Sequence, residues 1–126
     1  VVIDAAALLA VLLDEPGAEI VIPQLRRSVM SAVNVSESCS RGLEQGADIS
    51  NILGAIASFE IDIASFDLTA ARATAELRAP TRSSGISLGD RACLVLGRSR
   101  SLPILTGDRR MATAGEALGY DIRLIR

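Results

Sequence analysis

Short apolar runs alternate with longer stretches of helical periodicity along this chain, the arrangement expected of a parallel sheet flanked by helices. Residues 1–3 predict a buried strand ending at Asp4. Residues 5–13 predict a helix apolar nearly all round, as suits one packed tightly on a sheet. Asp14-Glu15-Pro16-Gly17 predicts a turn, followed by a second helix to about Arg26 in which Pro23 is a kink or break. From Ser31 onward, Ala32, Val35, Cys39 and Leu43 follow the i, i+3, i+7, i+11 stripe of a core-facing helix ending near Gly46. A helix over 48–58, a strand over 60–66 and an Ala-rich helix over 67–78 come next. The segment 80–89, PTRSSGISLG, predicts a loop directly before Asp90. A helix to about Arg98, a strand over 102–106, a Gly107-Asp108 turn, a short helix and a last strand over 121–125 complete the chain.

The 126 residues fit one domain spanning 1–126, long enough to withdraw roughly two-thirds of the unfolded surface from water. The expected fold is α/β, a three-layer α/β/α sandwich around a mostly parallel sheet. Hydrophobic residues make up 49% of the chain but aromatics only 2%, so the core is aliphatic. Phe59, Phe66 and Tyr120 are too few and too scattered to stack bases as single-strand binders of the RRM or OB type do. Cys39 and Cys93 fall in predicted helices without Cys-x-x-Cys spacing, which favours free thiols and a reducing setting, the cytoplasm. The apolar run 5–13 is far shorter than the roughly 20 residues that span a bilayer, so no membrane helix or signal peptide is expected.

Charge narrows the chemistry. There is no histidine, which excludes a Ser-His-Asp triad, a Cys-His pair, histidine-ligated zinc and a histidine acid-base couple. Lysine is also absent, which argues against receiver and HAD-type phosphotransfer sites, whose strand-end acids work beside a lysine. Residues 1–76 carry 4 Arg against 11 acids, net −7, while residues 77–126 carry 9 Arg against 4 acids, net +5. Arginine forks suit bidentate phosphate contacts, so the basic C-terminal part could meet a nucleic-acid backbone. Ordinary surface pairing in an arginine-biased composition is the alternative.

Four acids stand out by position: Asp4, Glu37, Asp90 and Asp108. Asp4 and Asp108 each follow a strand and precede a helix, so both belong at the carboxyl edge of the sheet, where open α/β folds place ligands. Each also has an ordinary structural reading. Asp4 and Asp108 would serve as N-caps, and Ser87-Leu88-Gly89-Asp90 passes as a capping box. Glu37 points roughly 155° away from the apolar stripe of its helix, towards solvent or towards a cleft made by another element. If the four converge, pairs of carboxylates about 5 Å apart repel by roughly 3 kcal/mol at an effective dielectric near 20. Protonation or a hard cation must then neutralise them. An oxygen-only donor set suits Mg²⁺ or Mn²⁺, which would orient a water and stabilise charge growing on a phosphate.

With these residues in place, the chain resembles the PIN-domain ribonucleases, and among them the VapC-type toxins of bacterial toxin-antitoxin pairs. VVIDAAALLAVLLDEPGAE opens as those toxins do, and MSAVNVSE, LGDRACLVLG and LPILTGDRRM resemble their second, third and fourth acidic motifs. The resemblance implies that Asp4, Glu37, Asp90 and Asp108 bind Mg²⁺ or Mn²⁺, that Thr106 assists beside Asp108, and that the reaction is endonucleolytic cleavage of RNA. It further implies a homodimer silenced by a cognate antitoxin whose tail occupies the cleft. Arg91, Arg109 and Arg110, next to two of the acids, are the expected phosphate contacts. One position departs: Ala6 stands where the family has a small hydroxyl residue. This departure keeps a second reading open, a catalytically weak PIN-like module that binds RNA or protein.

Overall fold

The three central strands of the sheet send neighbouring side chains into two separate apolar layers. The computed structural model describes residues 1–126. Its five strands are β1 (Val2–Ile3), β2 (Val29–Ser31), β3 (Asp62–Ala64), β4 (Ile104–Thr106) and β5 (Ile122–Leu124), all parallel, in the order β3-β2-β1-β4-β5. The helices are α1 (Ala5–Leu12), α2 (Ala18–Val21), α3 (Ala32–Glu44), α4 (Ile49–Ser58), α5 (Leu68–Glu76), α6 (Arg78–Thr81), α7 (Leu88–Arg100) and α8 (Arg109–Ala117). Ile3, Met30 and Leu105 pack on one face with Leu8 of α1 and Ile52 and Ile56 of α4. Val2, Val29, Ile104 and Ile122 pack on the other with Cys93 and Leu94 of α7 and Met111 of α8. Helices therefore cover both faces, the three-layer α/β/α arrangement expected, and strands buried on both sides read as continuous aliphatic runs. Burying one such side chain contributes about 1.5–3 kcal/mol, so an almost purely aliphatic core suffices. No helix is long and apolar enough to cross a membrane.

The strand order positions the site. From β1 the chain steps outward to β2 and β3, then returns through α7 to β4 on the opposite side of β1 and on to β5. The direction of winding therefore reverses between β1 and β4, and open α/β sheets bind ligands at the carboxyl ends flanking such a reversal.

Three sequence expectations need correction. The sheet has a fifth strand, β2, where the pattern showed only the approach to a helix. Its three residues pass straight from a 3₁₀ turn (Ile22–Arg27) through Ser28 into α3, with Ser31 as the helix cap, so no Gly or Pro punctuates it. The segment 80–89 is not one open loop: α6 and a 3₁₀ turn (Arg82–Ser84) wind its first half, and α7 begins at Leu88, leaving a short link over 85–87. Leu43 is 51% exposed rather than in the core. The buried face of α3 runs through Asn34, Ser38, Cys39 and Gly42, where a bare Cα lets Ile52 of α4 approach closely. That turns the packed face of α3 towards Glu37.

Candidate active site

Asp4 leaves the end of β1 and is 3% exposed. Its two oxygens are both held. The Ala7 N–H donates to Oδ1 at 2.7 Å, capping α1, and the Thr106 hydroxyl of β4 donates to Oδ2. Thr106 in turn accepts the Asp108 N–H at 2.9 Å, so one buried hydroxyl joins the two strand-end acids. Asp108 caps α8, its Oδ1 accepting the Arg110 N–H at 2.8 Å and the Met111 N–H at 3.1 Å. Asp90 forms the capping box of α7, with the Ser87 N–H donating to its Oδ2 at 2.9 Å and its own N–H donating to Ser87 Oγ. Glu37, on α3, accepts the Asn34 amide at Oε2 at 3.0 Å.

The structural reading of three of these acids is thus realised: Asp4, Asp90 and Asp108 do cap helices. In Asp90 and Asp108 capping occupies one oxygen and leaves the other. Asp90 Oδ1, Asp108 Oδ2 and Glu37 Oε1 accept no hydrogen bond from the protein. The N-termini of α1, α7 and α8 also point their positive ends at the same place, which softens the repulsion among the acids.

All four acids line one cavity of ≈ 240 Å³, with Ala6, Arg41 and Arg110 among the other residues of its wall. Glu37 is half-buried on this wall rather than turned to open solvent. Burial pushes Asp4 up to about 6; the hydrogen bonds from Thr106 and Ala7 work against this, while the charges of Asp90 and Asp108 add to it. Asp90 is raised too, chiefly by burial, with Asp108 adding to the effect and the bond from Ser87 opposing it. Beneath them the fully buried Cys93 thiol is pushed well above its usual range by burial and by the charges of Asp4, Asp90 and Glu37. It is therefore held as a neutral thiol, neither nucleophile nor thiolate ligand.

The acids ring the cavity rather than meeting at a point, and no three of them are gathered as a finished chelate. Each is tethered to its own helix, and like charges spread as far as those tethers allow. The donor set itself fits a hard divalent cation. It is all oxygen, three of its members each keep an oxygen without a protein partner, and Asp4 lies desolvated at its base.

Beside the cavity runs a wider groove of ≈ 920 Å³ lined by Arg41, Arg109, Arg110 and Arg126, and the two hollows share Ala6, Arg41, Asp108 and Arg110. Arg109 and Arg110 thus lie where a chain passing over the acids would run. Arg91 does not. It is half-buried and donates to the Thr74 carbonyl of α5 at 3.1 Å, bracing α7 against the last turn of that helix. Sequence reasoning missed Arg41 and Arg126. Arg41 lies four residues after Glu37, one helical turn along the same face, a spacing that could have revealed it. Arg126 had no such signal; it is partly engaged with Glu15 at 2.9 Å.

A family model for the PIN domain matches residues 1–117. No curated protein matches significantly. Among solved structures, a toxin-antitoxin complex from Klebsiella pneumoniae superimposes with a TM-score of 0.73 at 14% identity, covering 99% of this chain and 97% of that one. A DNA-bound VapBC from Salmonella typhimurium gives 0.71 at 18% identity, with coverage of 99% and 97%. VapBC-5 from Mycobacterium tuberculosis gives 0.55 at 20%, with 99% and 96%. At such identities these likenesses speak to the fold.

Proposed function

The chain belongs to the PIN-domain family, and from that premise we propose that it is a metal-dependent endoribonuclease of the toxin type, restrained by a cognate antitoxin. The observation that carries this reading is the sharing of one cavity at the sheet reversal by Asp4, Glu37, Asp90 and Asp108, with an arginine groove opening from its rim.

In this mechanism Asp4, Glu37, Asp90 and Asp108 hold Mg²⁺ or Mn²⁺. When bound, such an ion supplies an acidified water and charge stabilisation at a phosphate oxygen. The chain's own residues do the rest. Thr106 keeps Asp4 oriented and, by accepting the Asp108 N–H, fixes the start of the turn into α8. Arg41, Arg109 and Arg110 carry the phosphates of a single strand along the groove so that one phosphodiester lies over the acids. The caps tether Asp4, Asp90 and Asp108 around the cavity, which limits the movement needed to close on an ion.

An antitoxin partner is supported by the toxin-antitoxin complexes among the structural relatives. It is also supported by Leu43, Ile49 and Leu53, which leave α3 and α4 with large exposed apolar side chains.

RNA incubated with the protein and Mn²⁺ should be cut internally, and Asp108→Asn should lower the rate by at least about 100-fold. Asparagine is itself a good N-cap, so the variant keeps its fold. Intact RNA across substrates and both metals would overturn the proposal. A second reading, an RNA-binding module without cleavage, is favoured by Ala6, which faces both hollows and brings no hydroxyl to either. In that case the same assay would show retained binding and no cut.

A further inference from the structure

One buried amide links Glu37 to the backbone of the residue before Asp90. Asn34 is completely shielded from solvent in α3, and its side-chain N–H₂ group reaches in two directions. It donates to Glu37 Oε2 at 3.0 Å and to the Gly89 carbonyl, in the first turn of α7, at 3.1 Å. Both donors of the amide are engaged. The remaining oxygen, Asn34 Oδ1, is buried and has no partner.

Gly89 completes the arrangement from the other side. A Cβ built there would lie only 2.6 Å from Glu37 Oε1, so the carboxylate occupies space that exists because this residue has no side chain. The next residue along α7 is Asp90. A fully buried asparagine with an unpaired acceptor is a poor choice for packing alone, because an apolar residue would fill the space without stranding a polar atom. Its two donors hold the Glu37 carboxylate and the carbonyl of the residue preceding Asp90.

We propose that Asn34, working with the bare Cα of Gly89, is a positioning residue: it seats the Glu37 carboxylate against the N-terminal turn of α7 and so fixes the separation of Glu37 and Asp90. This rests on the metal-dependent reading above and deepens it. Groups that orient carboxylate ligands commonly tune metal affinity by about 10–100-fold, and the same range is expected here.

The test is Mn²⁺ titration by calorimetry and by thermal melting, without RNA, on the whole chain. Asn34→Ala should weaken Mn²⁺ binding at least about tenfold and shrink the Mn²⁺-induced rise in Tm. In a Glu37→Gln background, Asn34→Ala should cause little further loss, because its effect passes through Glu37. Gly89→Ala gives an independent route: it leaves both Asn34 donors in place, favours the helix, and pushes the Glu37 carboxylate off its seat. It should reproduce the weakened binding, and it decides the matter if Asn34→Ala fails to fold. Wild type that binds Mn²⁺ while the folded variants bind it equally well would overturn this inference alone, as would a full-sized Asn34→Ala effect in the Glu37→Gln background. Wild type that neither binds Mn²⁺ nor gains stability from it would overturn the metal-site reading and this inference with it.

Discussion

Two hollows meet at Ala6, Arg41, Asp108 and Arg110, and they are made differently. The smaller is walled by short acidic side chains, three of them tethered to helix N-termini and the deepest almost sealed from water. The larger is walled by long arginines, and Arg109 and Arg110 stand exposed. Short tethered groups hold charge at fixed coordinates, which suits chemistry. Long mobile cations follow a flexible polymer of repeating negative charge, which suits capture. Rigidity therefore resides in the backbone caps of one hollow, and adaptability in the side chains of the other.

The largest effect expected to probe this contrast is on stability. Asp4 lies near 6 in the folded protein against 3.8 for the free group, so the folded state binds its proton more tightly than the unfolded state. Its contribution is fully present below pH 3.8 and is lost as pH rises through 6. A shift of this size corresponds to about 3 kcal/mol of stability lost by the metal-free protein between about pH 4 and 7. Asp4→Asn should remove that dependence, and Mn²⁺ at pH 7 should recover much of it for the wild type. Melting curves across this window check the point. A wild-type profile retained in Asp4→Asn would mean that the deep charge lies elsewhere.

A smaller pair of effects separates the arginines. Arg91→Ala should cost about 1–2 kcal/mol through the lost brace to Thr74 and leave the salt dependence of RNA binding untouched. Arg109→Ala should keep the melting temperature and lower the slope of log affinity against log salt by roughly 0.7, the value for one single-strand phosphate contact. Binding measured at several salt concentrations distinguishes them. Equal slopes for both variants would erase the division between bracing and capture. The smallest expected change belongs to the shared wall: Ala6→Ser restores a hydroxyl facing both hollows and should speed cleavage by about threefold, the worth of one modest hydrogen bond. Slower cleavage would show that the site is shaped around the methyl group.

How much of this was legible beforehand differs between elements. β1 and β4 announce themselves because buried parallel strands are continuous aliphatic runs, and the acids that end them were readable as strand-edge groups. β2 was hidden by its brevity and by its seamless passage into α3. The face of α3 was misjudged because size was weighed above fit. Leu43 promised core packing, yet the helix closes on α4 through Gly42 and on α7 through Asn34, which a hydrophobic stripe does not reveal. Arg91 looked equivalent to Arg109 and Arg110 as a cation beside an acid. Only the direction of its side chain, set by a carbonyl 17 residues earlier, sends it elsewhere. Polar partnerships across long separations leave no periodic trace, and the Asn34 link to Gly89, 55 residues away, is the clearest case.

The adjacency of β1 and β4 has a consequence for a chain still being made. Asp4 meets its Thr106 partner across 102 positions, so the acid at the end of β1 waits for a strand made much later. A nascent or truncated product ending before β4 lacks Thr106 and Asp108, and one side of β1 is left without its partner strand. On the proposed reading, the site is complete only once β4 has joined β1 and brought Thr106 and Asp108 beside Asp4.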